Sequence, residues 1–250
     1  MMPLIPFVLI AVGGAALFIA LSTSERPVPV HEPDLAPTPG STRYKKIDAI
    51  LDELKKASAS SGIPLGLLVG WIAKESGGRL DEVTKLDERG LFQLMPAESK
   101  SLGLDHKRLS TDLNYSVNAG LLLIAKYMGD VDKLGVTPKG TSYYWRLVKL
   151  AHTMGTGAMN KIVAAAEKSP DALVGNARTW NALERFALAH DKELLSATKH
   201  TPSKWFPFVD EVYEVGAPFG FGSPDVVVGA GELFADIIDP LDCLSPTQRT

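Results

Sequence analysis

Glu75 shares a helical stripe with Leu68, Trp71 and Ile72, so a carboxyl stands where an apolar face should continue. Gly77 and Gly78 follow at once and predict the end of that helix. Partial burial disfavours the charged form of a carboxyl. A side chain in that condition can donate a proton near neutral pH, which is what cleavage of a sugar–sugar bond requires. The plainer alternative is a helix-end glutamate turned to solvent. Asp81, Glu82, Asp87 and Glu88 come next in the chain, interspersed with Arg79, Lys85 and Arg89. One of them would supply the second carboxylate of an ordinary glycosidase, although so charged a setting reads more simply as a solvated loop. Gln93 is a polar residue inside an apolar run and needs either a buried partner or a ligand.

These residues need a rigid frame, and the periodicity supplies helices for it. Tyr44, Ile47, Ile50, Leu51 and Leu54 mark a first helix ending near Gly62. A second runs from Ile63 to Ser76, with Pro64 tolerated in its first turn. Leu113, Val117, Leu121, Ile124 and Met128 mark a third, on which Ala119 and Gly120 permit close approach of a neighbour. Further helices are expected at about 142–153, 156–168, 177–198 and 205–214. No convincing strand alternation and no internal repeat is present, which predicts a mainly α fold with room for a small β-hairpin around 80–92.

Gly90-Leu91-Phe92-Gln93-Leu94-Met95-Pro96 begins fifteen residues after Glu75. Together with the Glu75-Ser76 pair, this run resembles the lysozyme-like domain of lytic transglycosylases of the soluble lytic transglycosylase type. The third element of that family, Ala-Tyr-Asn-Ala-Gly-x-Gly, has a degenerate counterpart in Ala151-His152-Thr153-Met154-Gly155-Thr156-Gly157. The resemblance covers about residues 45–170. It implies that Glu75 is the catalytic acid/base and that Ser76 steadies the helix end beside it. Thr84 stands where the family usually has a serine whose hydroxyl contacts the N-acetyl region of the sugar. Gln93 and Met95 would line the cleft. His152 and Thr153 replace the family's tyrosine and asparagine, and would sit near the substrate. That departure bears on efficiency and pH dependence, because histidine titrates near neutrality; a loop histidine without substrate contact is the alternative.

The resemblance also implies a route that needs only one glutamate. The acid protonates the leaving glycosidic oxygen, the substrate's own 2-acetamido group supports the cationic centre, and the carboxylate then takes the proton of the muramic acid 6-hydroxyl. A 1,6-anhydro ring closes without water, metal or cofactor. The implied partner is the peptidoglycan glycan strand. Two rivals stay open: a lysozyme-type hydrolase drawing on a loop carboxylate, and a non-catalytic peptidoglycan-binding or scaffold module that keeps the fold.

Composition narrows the field further. The 250 residues carry a net charge of −3, with a pI near 6.0, and give no reason to expect nucleic acid. Cys243 is the only cysteine and the histidines show no ligand spacing, so neither metal nor thiol chemistry is expected. Residues 1–22 hold an almost wholly apolar run, Leu4 to Leu21, of a length that just spans a bilayer core at about 27 Å. A transmembrane anchor is expected there, with a cleaved signal peptide as the rival. Residues 23–42 are proline-rich and read as an extended spacer. Residues 43–215 form the expected helical domain. The Gly-rich tail, 216–250, includes Leu233, Phe234, Ile237, Ile238 and Leu241, one apolar side of a short helix that packs back or meets a protein partner. Such a chain would be membrane-anchored with its domain on the periplasmic or cell-wall side, or carried in a phage particle.

Overall fold

The computed structural model describes residues 44–137, 139–169 and 179–220. The expected anchor at 1–22, the spacer at 23–42 and the apolar side of the tail helix lie outside these residues. Among the described residues no helix is long and apolar enough to cross a membrane.

The described chain is helical throughout. Its order is α1 (Lys45–Asp48), α2 (Leu51–Ser61), α3 (Leu65–Glu75), α4 (Pro96–Ser101), a 3₁₀ turn (Lys107–Ser110), α5 (Leu113–Asp132), α6 (Ser142–Met154), α7 (Thr156–Lys168), α8 (Trp180–Ala189), α9 (Asp191–Thr198) and α10 (Pro202–Gly216). The first expected helix is thus two pieces, and Gly62 ends the second of them in the left-handed conformation. The single helix expected at 177–198 is also two. His190 interrupts it, stacking on the Phe186 ring at 4.3 Å while its Nδ1 donates to the Phe186 carbonyl at 2.9 Å. The hairpin expected at 80–92 is reduced to two isolated antiparallel bridges, Val83 with Arg89 and Arg89 with Leu94. Its middle is occupied by tight turns, with Asp87 and Gln93 both at positive φ, and these leave too few consecutive extended residues for a ladder.

Helix α3 sits at the centre. It packs most extensively on α10 and also against α2, while α6 is gripped by α5, α7 and α10. Every residue of α6 is buried. The α3–α10 contact is a backbone contact. A Cβ built on Gly70 would lie 2.0 Å from the Val212 carbonyl oxygen, and one on Gly216 would lie 2.1 Å from the Gly66 carbonyl oxygen. Glycine is required on both sides because nothing flexible is available to yield. Gly70→Ala is therefore expected to cost about 1–3 kcal/mol by overpacking, read as a lowered urea midpoint; an unchanged midpoint would show that the two helices separate freely.

Helix α5 begins at Asp112, whose carboxylate accepts from the Tyr115 backbone N–H at 3.0 Å and pairs with Arg108 at 2.8 Å. The backbone bond, followed by Arg108, holds the Asp112 carboxyl below its ordinary value. A group depressed in the folded state stabilises above its unfolded pKa of about 3.9 and loses that contribution on acidification. Asp112→Ala should accordingly cost about 1 kcal/mol at pH 7, and the gap between the two urea midpoints should narrow below about pH 4.

Candidate active site

The last turn of α3 delivers Glu75 to the junction with the Gly90–Pro96 segment. The helix stops there because Ser76 and Gly77 both donate their N–H groups to the Ile72 carbonyl at 3.0 Å. Gly77 and Gly78 then take positive φ of 62° and 82°. A side chain at Gly78 would strike the Ile47 backbone nitrogen at 2.7 Å, so the exit is as tightly held as the helix itself. Ser76 is fully buried, and its hydroxyl donates to the Leu91 carbonyl at 2.9 Å while accepting from the Gly78 N–H at 3.2 Å. One hydroxyl therefore ties the end of α3 to the next motif.

The Glu75 side chain is 10 % exposed, close to the burial its stripe predicts. Its surroundings also include charge. The Lys149 ammonium, from α6, donates to Glu75 Oε1 at 2.5 Å. His152 Nδ1, one turn further along α6, lies 3.6 Å from the same oxygen and 3.2 Å from Lys149 Nζ. An ammonium can only donate, so His152 Nδ1 accepts from it and the ring proton sits on Nε2. Both contacts fall on Oε1, and no hydrogen bond among the described residues falls on Oε2.

Lys149 has a side chain only 1 % exposed, and burying a cation so deeply requires compensation. Beyond Glu75 and His152, its Nζ lies 4.2 Å from the Trp71 ring centre and 5.2 Å from that of Phe208 on α10. Aromatic faces attract a desolvated cation. The His152 ring is itself enclosed, 4.8 Å from Trp71 and 5.5 Å edge-on from Tyr127 of α5. Its side chain has no solvent exposure, so it stands behind Glu75 rather than on an open loop. Thr153 turns its hydroxyl to the Lys149 carbonyl at 2.9 Å, within its own helix.

Sequence reasoning missed Lys149. Its signal was present, since Lys149 precedes His152 by three residues on a helix otherwise rich in aromatic and aliphatic side chains.

The remaining expected site residues belong to the turns below α3. Gln93 is 2 % exposed, and its amide nitrogen donates to the Gly90 carbonyl at 2.7 Å and the Glu82 carbonyl at 3.3 Å. Its Oε1 is buried without a hydrogen-bond partner among the described residues. The buried partner its position demanded is thus the loop backbone. Thr84 donates to the Glu88 carboxylate at 2.9 Å and receives the Leu86 and Glu88 N–H groups, which closes the preceding turn. Met95 is half-buried at the start of α4, where its N–H is capped by Glu98 at 2.9 Å. Of the loop carboxylates, Glu82 is paired with Arg79 at 2.5 Å and Asp87 with Arg89 at 2.7 Å. Glu88 is buried on Thr84.

Residues 52–174 match the family model of the Transglycosylase SLT domain. No curated protein matches the chain. The matched stretch includes Glu75-Ser76 and the Gly90–Pro96 run, and it is consistent with a lytic transglycosylase domain of lysozyme-like type.

Proposed function

We propose that the chain is a peptidoglycan lytic transglycosylase, cleaving the β-1,4 bond between N-acetylmuramic acid and N-acetylglucosamine with Glu75 as its acid and base. The observation that carries this reading is the placement of Glu75. A nearly buried carboxyl ends a helix within a matched transglycosylase domain, with one oxygen anchored and no hydrogen bond from the described residues on the other.

In the proposed reaction the Glu75 proton passes to the glycosidic oxygen as the bond from C1 breaks. The substrate's acetamido group shields the cationic C1. The C6 hydroxyl oxygen then bonds to C1, and its proton passes to the Glu75 carboxylate, which restores the acid. Nothing is consumed but the substrate. The state of three of the four loop carboxylates supports this single-glutamate route over hydrolysis, because Glu82 and Asp87 are occupied by arginines and Glu88 by Thr84, while Asp81 is exposed. The inward-turned His152 and Thr153 are the observation that favours the second reading, a peptidoglycan-binding module without turnover.

The apolar Leu4–Leu21 run and the proline-rich 23–42 segment support a membrane-anchored placement with the domain facing the wall. Local wall opening for a secretion machine or a phage particle would suit such a chain, with the tail as a docking segment for a protein partner. Digestion of purified peptidoglycan followed by mass spectrometry tests the reaction. Anhydro-muropeptides are the expected product. New reducing ends would mean hydrolysis, and binding without soluble fragments would mean the non-catalytic module.

A further inference from the structure

We infer that Lys149 is the positioning residue of the active site, holding Glu75 by Oε1 so that Oε2 is the oxygen that exchanges protons with the sugar. This rests on Glu75 being the acid of the proposed reaction. Three observations carry it. The ammonium meets Oε1 at 2.5 Å, and no protein hydrogen bond among the described residues falls on Oε2. Lys149 is itself fixed, with its side chain 1 % exposed between the Trp71 and Phe208 faces and His152 Nδ1. Finally, α6 is buried along its whole length, so the ammonium cannot swing away to solvent without unpacking the helix.

The chemistry of the single-glutamate cycle explains what the cation would do. When the Oε2 proton moves to the glycosidic oxygen, negative charge appears on the Glu75 carboxyl. A fixed ammonium at Oε1 stabilises that charge with no rearrangement, as preorganised charges do at developing ions. When the C6 hydroxyl proton returns to Oε2, the negative charge disappears, and the cation keeps the carboxyl Oε1 and an imidazole nitrogen as its hydrogen-bond acceptors. The proton count closes over the cycle and Lys149 itself gains and loses nothing.

The charged and titratable groups around this pair are few. Glu75 comes from α3 and His152 from α6. The Lys74–Glu211 pair joins α3 to α10 beside the same Phe208 ring. Tyr127 of α5 meets only the edge of His152 and donates to Glu98 at 3.0 Å, while Asp210 of α10 is held by Arg146. Among the described residues, Lys149 is thus the cation that bonds Glu75.

The test is a pH titration of the Glu75 carboxyl in the full chain by carbon NMR with labelled glutamate, the signal being assigned by its loss in Glu75→Gln. Wild type is compared with Lys149→Met, of similar length without charge, and Lys149→Gln, neutral but still a donor. Either variant serves if the other does not fold. Without the cation the carboxylate loses a charge that favours it, and the Glu75 signal should move to higher pH than in wild type. The alkaline limb of the anhydro-muropeptide rate profile should move the same way, with kcat down roughly 10²-fold and KM little changed. A structural lysine would lower the rate at every pH and leave the titration in place, and an unmoved Glu75 signal would overturn the assignment. The two proposals fail separately. An inactive wild type removes the reaction while the titration still decides Lys149; an active wild type with identical titrations keeps the reaction and removes the role of Lys149.

Discussion

Glu75→Gln is expected to lower the release of anhydro-muropeptides by about 10³-fold or more, the scale of a lost general acid that must also act as base. Glutamine keeps the length and a carbonyl oxygen that can still accept from Lys149, so the ion-pair geometry at Oε1 has a substitute. It cannot give up or recover a proton, and both halves of the proposed cycle stop. Binding to peptidoglycan should survive, because nothing else at the end of α3 changes. The measurement is the initial rate of fragment release, with circular dichroism to show that the variant is folded. A folded variant working at the wild-type rate would remove Glu75 from the chemistry.

Asp210→Ala should destabilise the domain by about 3 kcal/mol, the lower end of the range for breaking a buried ion pair. Asp210 accepts from the Arg146 guanidinium and, at 2.8 Å, from the Trp180 indole N–H, so one carboxylate joins α6, α8 and α10. Arg146 is 8 % exposed, and burial pulls its guanidinium below arginine's ordinary value despite the Tyr213 ring 4.0 Å away. Its Nε already lacks a partner. Removing the carboxylate leaves a buried cation and a buried indole donor unmet, the costly case. Asp210 itself remains 27 % exposed, and water reaching that side is why the lower figure is expected. Asp210→Asn, which retains an acceptor for Trp180, should fall between the two. Urea denaturation reads the series; a loss below about 0.5 kcal/mol for the alanine variant would mean that water replaces the pair.

What the chain discloses in advance divides along a physical line. Local signals carried the helices well. The four-and-three spacing of Leu113 to Met128 lies within α5, and Thr156–Lys168 was expected at the same bounds. Glu75 was recognisable because a charge in an apolar stripe is itself a local anomaly. Contacts between distant segments were not recognisable in this way. Lys149 lies 74 residues from the carboxyl it binds, and a lysine on a helix ordinarily reads as part of a wet face. The burial of Glu75 was legible while the cation beside it was not, for that reason. The hairpin failed differently: Val83, Arg89 and Leu94 do pair, but the turns at Asp87 and Gln93 use up the residues a strand would need.

The carbonyl-to-glycine seam between α3 and α10 sets a limit on how this chain can be cut. Residue 174 closes the recognised domain, yet α10 begins at Pro202 and supplies Phe208, one wall of the cage around Lys149. A fragment trimmed to the recognised boundaries would open that cage, hydrate the ammonium and loosen its hold on Glu75, so the setting of that carboxyl depends on a longer stretch of chain than the motifs themselves occupy.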